Sequence, residues 1–190
     1  MENLRKGCLL KKIILISGLA LGIYSLYFYK SNYKSNITEY APSRDRDFIL
    51  NIFKDNWYWL VAGYTDDFSH DFAAYRLDNK TYDSNPANWG KLDIKVYSEN
   101  NDPKGFVAYY LKKLNIGKIL FVAVDKKYRG KGYAEKLVNY AIADLKKKGS
   151  RVIRLLTRTD NKASRSLYNK LKFTETANDG QFVYFEKILD

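Results

Sequence analysis

The sequence predicts an α/β domain preceded by one helix of transmembrane character. Three observations carry that expectation. From Ile37 onward, strand-like and helix-like stretches alternate. The stretch Lys118–Asp125 (KILFVAVD) is almost continuously apolar, as suits a central strand covered on both faces. After a glycine-rich turn, Ala134, Leu137, Val138, Ala141, Ile142 and Leu145 recur at the three- and four-residue spacing of one helical face.

The N-terminal segment comes first in the chain. Seventeen residues from Ile13 to Tyr29 carry no charge, with Lys11 and Lys12 before them and Lys30 after. At 1.5 Å per residue a helix of that length spans roughly 25 Å, short of a hydrocarbon core of about 30 Å. Leu9 and Leu10 extend it, and lysines can snorkel. Tyr24, Tyr27, Phe28 and Tyr29 gather at one end, as interfacial rings do. Gly18 and Gly22 form a small-xxx-small pair.

Three readings fit the segment. One is an uncleaved single-span membrane anchor over residues 9–30, which is the expectation adopted. The others are a signal peptide cleaved after Ala20 or Gly22 and a buried or peripheral helix. Arg5, Lys6, Lys11 and Lys12 are balanced by Lys30, Lys34, Arg44 and Arg46, so the flanking charges leave the orientation open. Residues 1–30 are thus set apart, 31–36 read as a short polar tether, and 37–190 as the domain. Cys8 is the single cysteine, so no intrachain disulfide forms.

Within the domain, Ile37–Tyr40 begins a strand. Phe48, Ile49, Ile52, Phe53 and Leu60 fall near helical spacing in the stretch 44–60, with Ser43 as the expected N-cap. Phe68–Leu77 reads as a weaker helix with Asp66 and Asp67 at its start, and 78–90 as a loop. Leu92–Tyr97 alternates as a half-buried strand. Asn100–Asp102 with Pro103 turns the chain into a strand at Gly105–Leu111. The strong helix ends at Gly149, behind Lys146, Lys147 and Lys148. Arg151–Thr159 then makes a strand, Asn161–Leu171 a helix and Phe182–Ile188 a final strand.

Charge narrows the partners. The chain has 33 basic and 21 acidic residues, a net +12. Residues 112–172 hold eighteen basic against four acidic residues, whereas 37–111 are net acidic. A stretch that basic calls for an anionic partner or a well-solvated surface: nucleic acid, anionic lipid or a phosphate-rich cofactor.

The motif between the apolar strand and the strong helix favours the cofactor. In Arg129-Gly130-Lys131-Gly132-Tyr133-Ala134 two glycines let the backbone curl, and the helix start adds unpaired N–H groups and a dipole. Arg129 and Lys131 add charge suited to a pyrophosphate. Read from the residues alone, this is an anion cradle or an ordinary glycine-rich turn.

Its surroundings decide between them. The turn resembles the Q/R-x-x-G-x-G/A motif of the GNAT acetyltransferase superfamily, filled here by Arg129, Gly132 and Ala134 and entered through Val124–Gly130. About thirty residues on, the stretch from Asn161 through Tyr168 to Lys170, Leu171 and Phe173 is similar to that family's second signature. Ile37–Leu60 is similar to its opening strand and helix, and Gly105–Tyr109 to its third strand. Lys126, Ser164 and Lys172 depart from the pattern, standing where the family often has proline, alanine and glycine. At Lys172 the departure implies a left-handed residue without glycine, at a cost of order 1 kcal/mol.

The resemblance implies a mixed central sheet of about six to seven strands flanked by about four helices. It implies acetyl-CoA as co-substrate, no metal, and transfer of an acetyl group to an amine by direct attack. The cofactor would lie on Val122, Val124, Arg129, Gly130, Lys131, Gly132, Tyr133, Ala134 and Asn161, and Tyr168 would protonate the departing thiolate. For the base, Asp93, Glu99, Asp125 and His70 are candidates and none stands out. Because acetyl-CoA is mainly cytosolic, the domain is expected on the cytosolic side of the membrane. A catalytically inactive, membrane-tethered binding module is the alternative, and nucleic-acid binding by the basic stretch ranks third.

Overall fold

The computed structural model describes residues 36–61, 68–81, 91–112 and 115–189. The segment expected to anchor the chain, residues 9–30, lies outside the described residues. Among those described, no helix is long and apolar enough to cross a membrane.

The elements run β1 (Ile37–Glu39), α1 (Pro42–Asp55), α2 (Trp57–Leu60), α3 (His70–Asn79), β2 (Asp93–Glu99), β3 (Asp102–Lys112) and β4 (Ile116–Val124). A 3-10 turn (Lys126–Tyr128), α4 (Tyr133–Lys147), β5 (Val152–Arg158), α5 (Lys162–Lys170), β6 (Thr174–Asn178) and β7 (Phe182–Ile188) complete them. The strands form one sheet in the order β1-β2-β3-β4-β5-β7-β6, antiparallel throughout except for the parallel pair β4–β5.

Alternation along β3 builds two cores. Phe106, Ala108 and Tyr110 face α1 and α3, where Phe53 meets Phe121 edge-on at 5.0 Å. Val107 and Tyr109 face the other layer, with Leu137, Val138, Ala141 and Leu145 of α4. The expected apolar stripe of α4 is therefore its buried face.

Several boundaries differ from expectation for identifiable reasons. The helix of 44–60 breaks at Asn56 (φ −132°, ψ 23°), whose side-chain amide turns back to donate to the Ile52 carbonyl at 2.8 Å. Ser43 is not the N-cap. Ala41 takes that position, Pro42 opens the helix, and the fully buried Asp45 reaches back to accept from the Ala41 N–H at 2.9 Å. α3 starts at His70 rather than Phe68 because the Ser69 hydroxyl accepts from the Phe72 N–H. The β2–β3 turn is made by Asn100 and Asn101, both at positive φ, so Pro103 belongs to a strand, beside a bulge. β6 was not expected at all: its residues are exposed on both faces and carry no alternation.

The feature that positions the site is an early end to pairing. β4 and β5 pair only from Ile116↔Val152 to Lys118↔Arg154. Beyond that β4 continues to Val124, while β5 continues to Arg158 with its other edge held by β7. The two central strands thus diverge towards their C-terminal ends.

Candidate functional site

The divergence leaves one edge of β4 open. The Asp125 N–H donates to the Lys104 carbonyl at 2.9 Å, so main-chain groups of Asp125 and, two residues back, Ala123 point at β3. Those of Val122 and Val124 therefore turn to the opened side. The Val124 carbonyl there accepts from Arg129 Nε at 3.1 Å. Both valines line a cleft of about 680 Å³.

The glycine turn closes one end of that cleft. Gly130 and Gly132 have φ of +77° and +78°, where an L side chain is strained. A Cβ built on either would meet no atom within 4 Å, so the concave side of the turn is open. Gly132 is the N-cap of α4 and no side chain caps that end, which leaves its first N–H groups without an intrahelical partner and the positive end of the dipole exposed. Glu135 in the first turn is neutralised by Lys170 of α5 at 2.6 Å.

The charged residues of the turn are placed differently from one another. The Arg129 side chain braces the turn, with Nε on the Val124 carbonyl and Nη2 on Asn56 Oδ1, and all three residues line the cleft. The break at Asn56 thus doubles as a socket for Arg129. Lys131 leans on Tyr128, with Nζ 5.6 Å from the ring centroid, and does not line the cleft. Tyr133 and Ala134 do line it, and Tyr133 is fixed by stacking on Tyr97 at 4.7 Å.

Across the cleft, Asn161 is the N-cap of α5, its Oδ1 accepting from the Ser164 N–H at 3.1 Å. The amide NH2 is then the group it can offer a ligand. About two helical turns further lies Tyr168, only 4% exposed, packed against Phe173 and Phe185 at 5.9 and 5.5 Å, and lining the cleft. Burial pushes its phenol well above the usual tyrosine range, and a hydrogen bond with the Ser164 side chain offsets part of that rise. The group is a proton donor that stays protonated at physiological pH.

None of the four base candidates lines the cleft. Asp93 pairs with Lys148 at 2.7 Å. Glu99 accepts from the Tyr97 and Tyr133 hydroxyls, which hold its carboxyl below the usual range. Asp125 caps the 3-10 turn through the Lys127 N–H, and His70 sits exposed on α3 beside Asp71. The carboxylates that line the cleft are Glu135 and Asp160. Asp160 was missed; the only signal was its place directly before Asn161.

This arrangement has relatives of known fold. The chain is similar to the PaiA N-acetyltransferase of Thermoplasma acidophilum, solved in complex with coenzyme A, with a TM-score of 0.64 and 19% identity over 80% of this chain and 98% of that one. It is similar also to an N-acetyltransferase of Staphylococcus aureus Mu50, with a TM-score of 0.63 and 22% identity over 81% and 98% of the two chains. An uncharacterized N-acetyltransferase of Methanocaldococcus jannaschii is 31% identical over 121 residues, 55% of this chain and 53% of its own length, so the chain spans about half of that relative. Residues 47–173, which hold the opened edge of β4, the glycine turn and Tyr168, match the acetyltransferase (GNAT) family, and the chain belongs to it.

Proposed function

We propose that this chain is an acetyl-CoA-dependent N-acetyltransferase that modifies an amine of a protein, peptide or small molecule by direct attack. The observation that carries the reading is one cleft shared by an opened strand edge, an uncapped glycine turn and a buried phenol. When bound, acetyl-CoA would supply an activated acyl thioester. The turn fits its pyrophosphate, since both glycines leave open space and the start of α4 offers N–H donors. Main-chain groups of Val122 and Val124 on the opened edge would hydrogen-bond the pantetheine arm and polarise the thioester carbonyl. The Asn161 amide would add a donor, and Tyr168 would give its proton to the departing thiolate.

Isothermal titration of the detergent-solubilised full chain with acetyl-CoA tests this, beside a Gly132→Glu variant that fills the cradle with a like charge. Binding by the wild type and its loss in the variant are expected. A folded wild type that takes up no acetyl-CoA would sink the enzyme reading.

A catalytically silent module tethered to the membrane is the second reading. One observation favours it: the Asn161 carbonyl and the Tyr168 ring already serve as helix cap and core. In either case residues 9–30 would hold the domain at a membrane; for the enzyme reading the domain would lie on the cytosolic side, where acetyl-CoA is mainly found. Carbonate extraction of membranes from producing cells should leave the chain in the pellet, and release into the supernatant would refute the anchor.

A further inference from the structure

Resting on the transferase reading, we propose that Asp160 and Trp59 form a recognition site for a cationic acceptor, a primary ammonium flanked by an apolar group. The argument begins with charge. Of the four acidic residues in the basic stretch 112–172, three have cations: Asp125 with Lys127 at 3.9 Å, Glu135 with Lys170 at 2.6 Å and Asp144 with Lys148 at 2.7 Å. Asp160 forms no ion pair among the described residues, although it lies in the most basic part of the chain. Its cationic neighbours are turned elsewhere. Arg158 donates to the carbonyls of Tyr58 and Val61, and Arg165 to the Thr159 carbonyl and Glu175. Lys162, exposed two residues on, makes no ion pair with it.

A carboxylate left without a cation on the wall of a cleft can accept one from outside. Asp160 is also held in place for that purpose. The Tyr58 hydroxyl donates to its Oδ2 at 3.1 Å, leaving Oδ1 to a ligand. Tyr58 is fixed in turn by the Arg158 guanidinium, 3.8 Å from its ring centroid, and by Trp59, edge-on at 4.8 Å. Trp59 is 43% exposed and lines the same cleft as Asp160, with Leu60 and Val61 beside it. An indole face attracts an ammonium and covers an apolar flank equally well. Carboxylate, indole and aliphatic wall together describe an arylalkyl- or alkylammonium ion.

The chemistry benefits twice. The acceptor arrives as the ammonium that dominates at neutral pH and loses a proton to solvent before attack. The N–C bond then forms as the C–S bond breaks, the thiolate takes its proton from Tyr168, and the proton shed by the new amide nitrogen restores the phenol, so the balance is one proton released to water. The amide product carries no charge, so its attraction to Asp160 is gone and release follows.

Calorimetric titration of the detergent-solubilised full chain with phenethylammonium chloride and with 2-phenylethanol, its neutral counterpart, tests the proposal, each with and without CoA. The ammonium should bind at least tenfold more tightly than the alcohol. Asp160→Asn should abolish that preference and leave CoA affinity unchanged. Tyr58→Phe, which frees Asp160 to reorient, should lose part of it, and Trp59→Ala should weaken both ligands alike. No ammonium binding by the wild type, equal affinity for the two ligands, or a preference that survives Asp160→Asn overturns the site. A protein that prefers the ammonium but takes up no CoA sinks the transferase reading and leaves the site standing.

Discussion

Two helices begin on opposite sides of one cleft and solve the same backbone problem in opposite ways. At α5 the first turn is closed from within, because the Asn161 side chain accepts from the Ser164 N–H. At α4 a glycine in the left-handed region stands at the N-cap and no side chain accepts anything. Relative to a capping side chain, a glycine at the N-cap costs only about a few tenths of a kcal/mol, so α4 leaves its end open at little expense in stability. The difference teaches where an anion belongs: the end that is not satisfied internally is the one available to a ligand.

Closing the open end should do the most damage. Gly132→Glu places a carboxylate where a pyrophosphate is expected, and acetyl-CoA affinity should fall at least about 100-fold, roughly 2.7 kcal/mol. The strain of a side chain at φ +78° costs only about 1–2 kcal/mol, so circular dichroism should still report a folded protein. Retained affinity in this variant would remove the reason for assigning the turn to phosphate.

Tyr168 separates the two readings of α5. If it supplies the proton for the departing thiolate, Tyr168→Phe should lower kcat by about 100-fold with little change in KM for acetyl-CoA. An unchanged kcat would leave the residue as core alone. Its raised pKa makes a second, independent prediction. Folded Tyr168 keeps its proton at a pH where the unfolded chain has lost it, so the stability tied to this group is complete below about pH 10 and declines above it. Tyr109, raised by burial and then by its bond to Asp144, adds to the same decline. Urea unfolding at pH 9 and pH 11 should show a loss for the wild type that is smaller in Tyr168→Phe.

Asn161 has a smaller effect that can be divided. Asn161→Ala should cost about 1 kcal/mol and lower Tm by roughly 2–4 °C. Asn161→Ser restores a capping oxygen but not the NH2. If Ser recovers Tm while acetyl-CoA affinity stays low, the amide donates to the cofactor; recovery of both would make the residue a cap and nothing more.

What the sequence disclosed and withheld follows physical range. The central strand, the stripe of α4 and the glycine turn are written in local periodicity and spacing, and each was legible from neighbours within one or two turns. The brace from Arg129 to Asn56 was not, because it joins residues 73 apart that only the folded sheet brings together. The same holds for Tyr58 and Asp160, 102 apart. β6 was invisible for another reason: an edge strand exposed on both faces has no hydrophobic pattern to display. Ser43 failed as a cap because the helix starts two residues earlier: the Ala41 carbonyl already accepts from the Arg44 and Asp45 N–H groups, and the buried Asp45 carboxylate holds the Ala41 N–H.

The smallest prediction concerns the other end of α5, where a departure from the family pattern was legible in advance. Lys172 follows that helix at φ +61°, the conformation expected of a glycine there, and it is exposed. The backbone conformation is kept and the residue pays its strain. Lys172→Gly should therefore stabilise the protein by about 0.5–1 kcal/mol, the left-handed penalty less the extra freedom glycine gives the unfolded chain. Thermal unfolding should show a Tm higher by roughly 1–4 °C. Residue 172 does not line the cleft, so acetyl-CoA affinity should not change. A lower Tm would mean that the lysine side chain contributes more than its backbone costs.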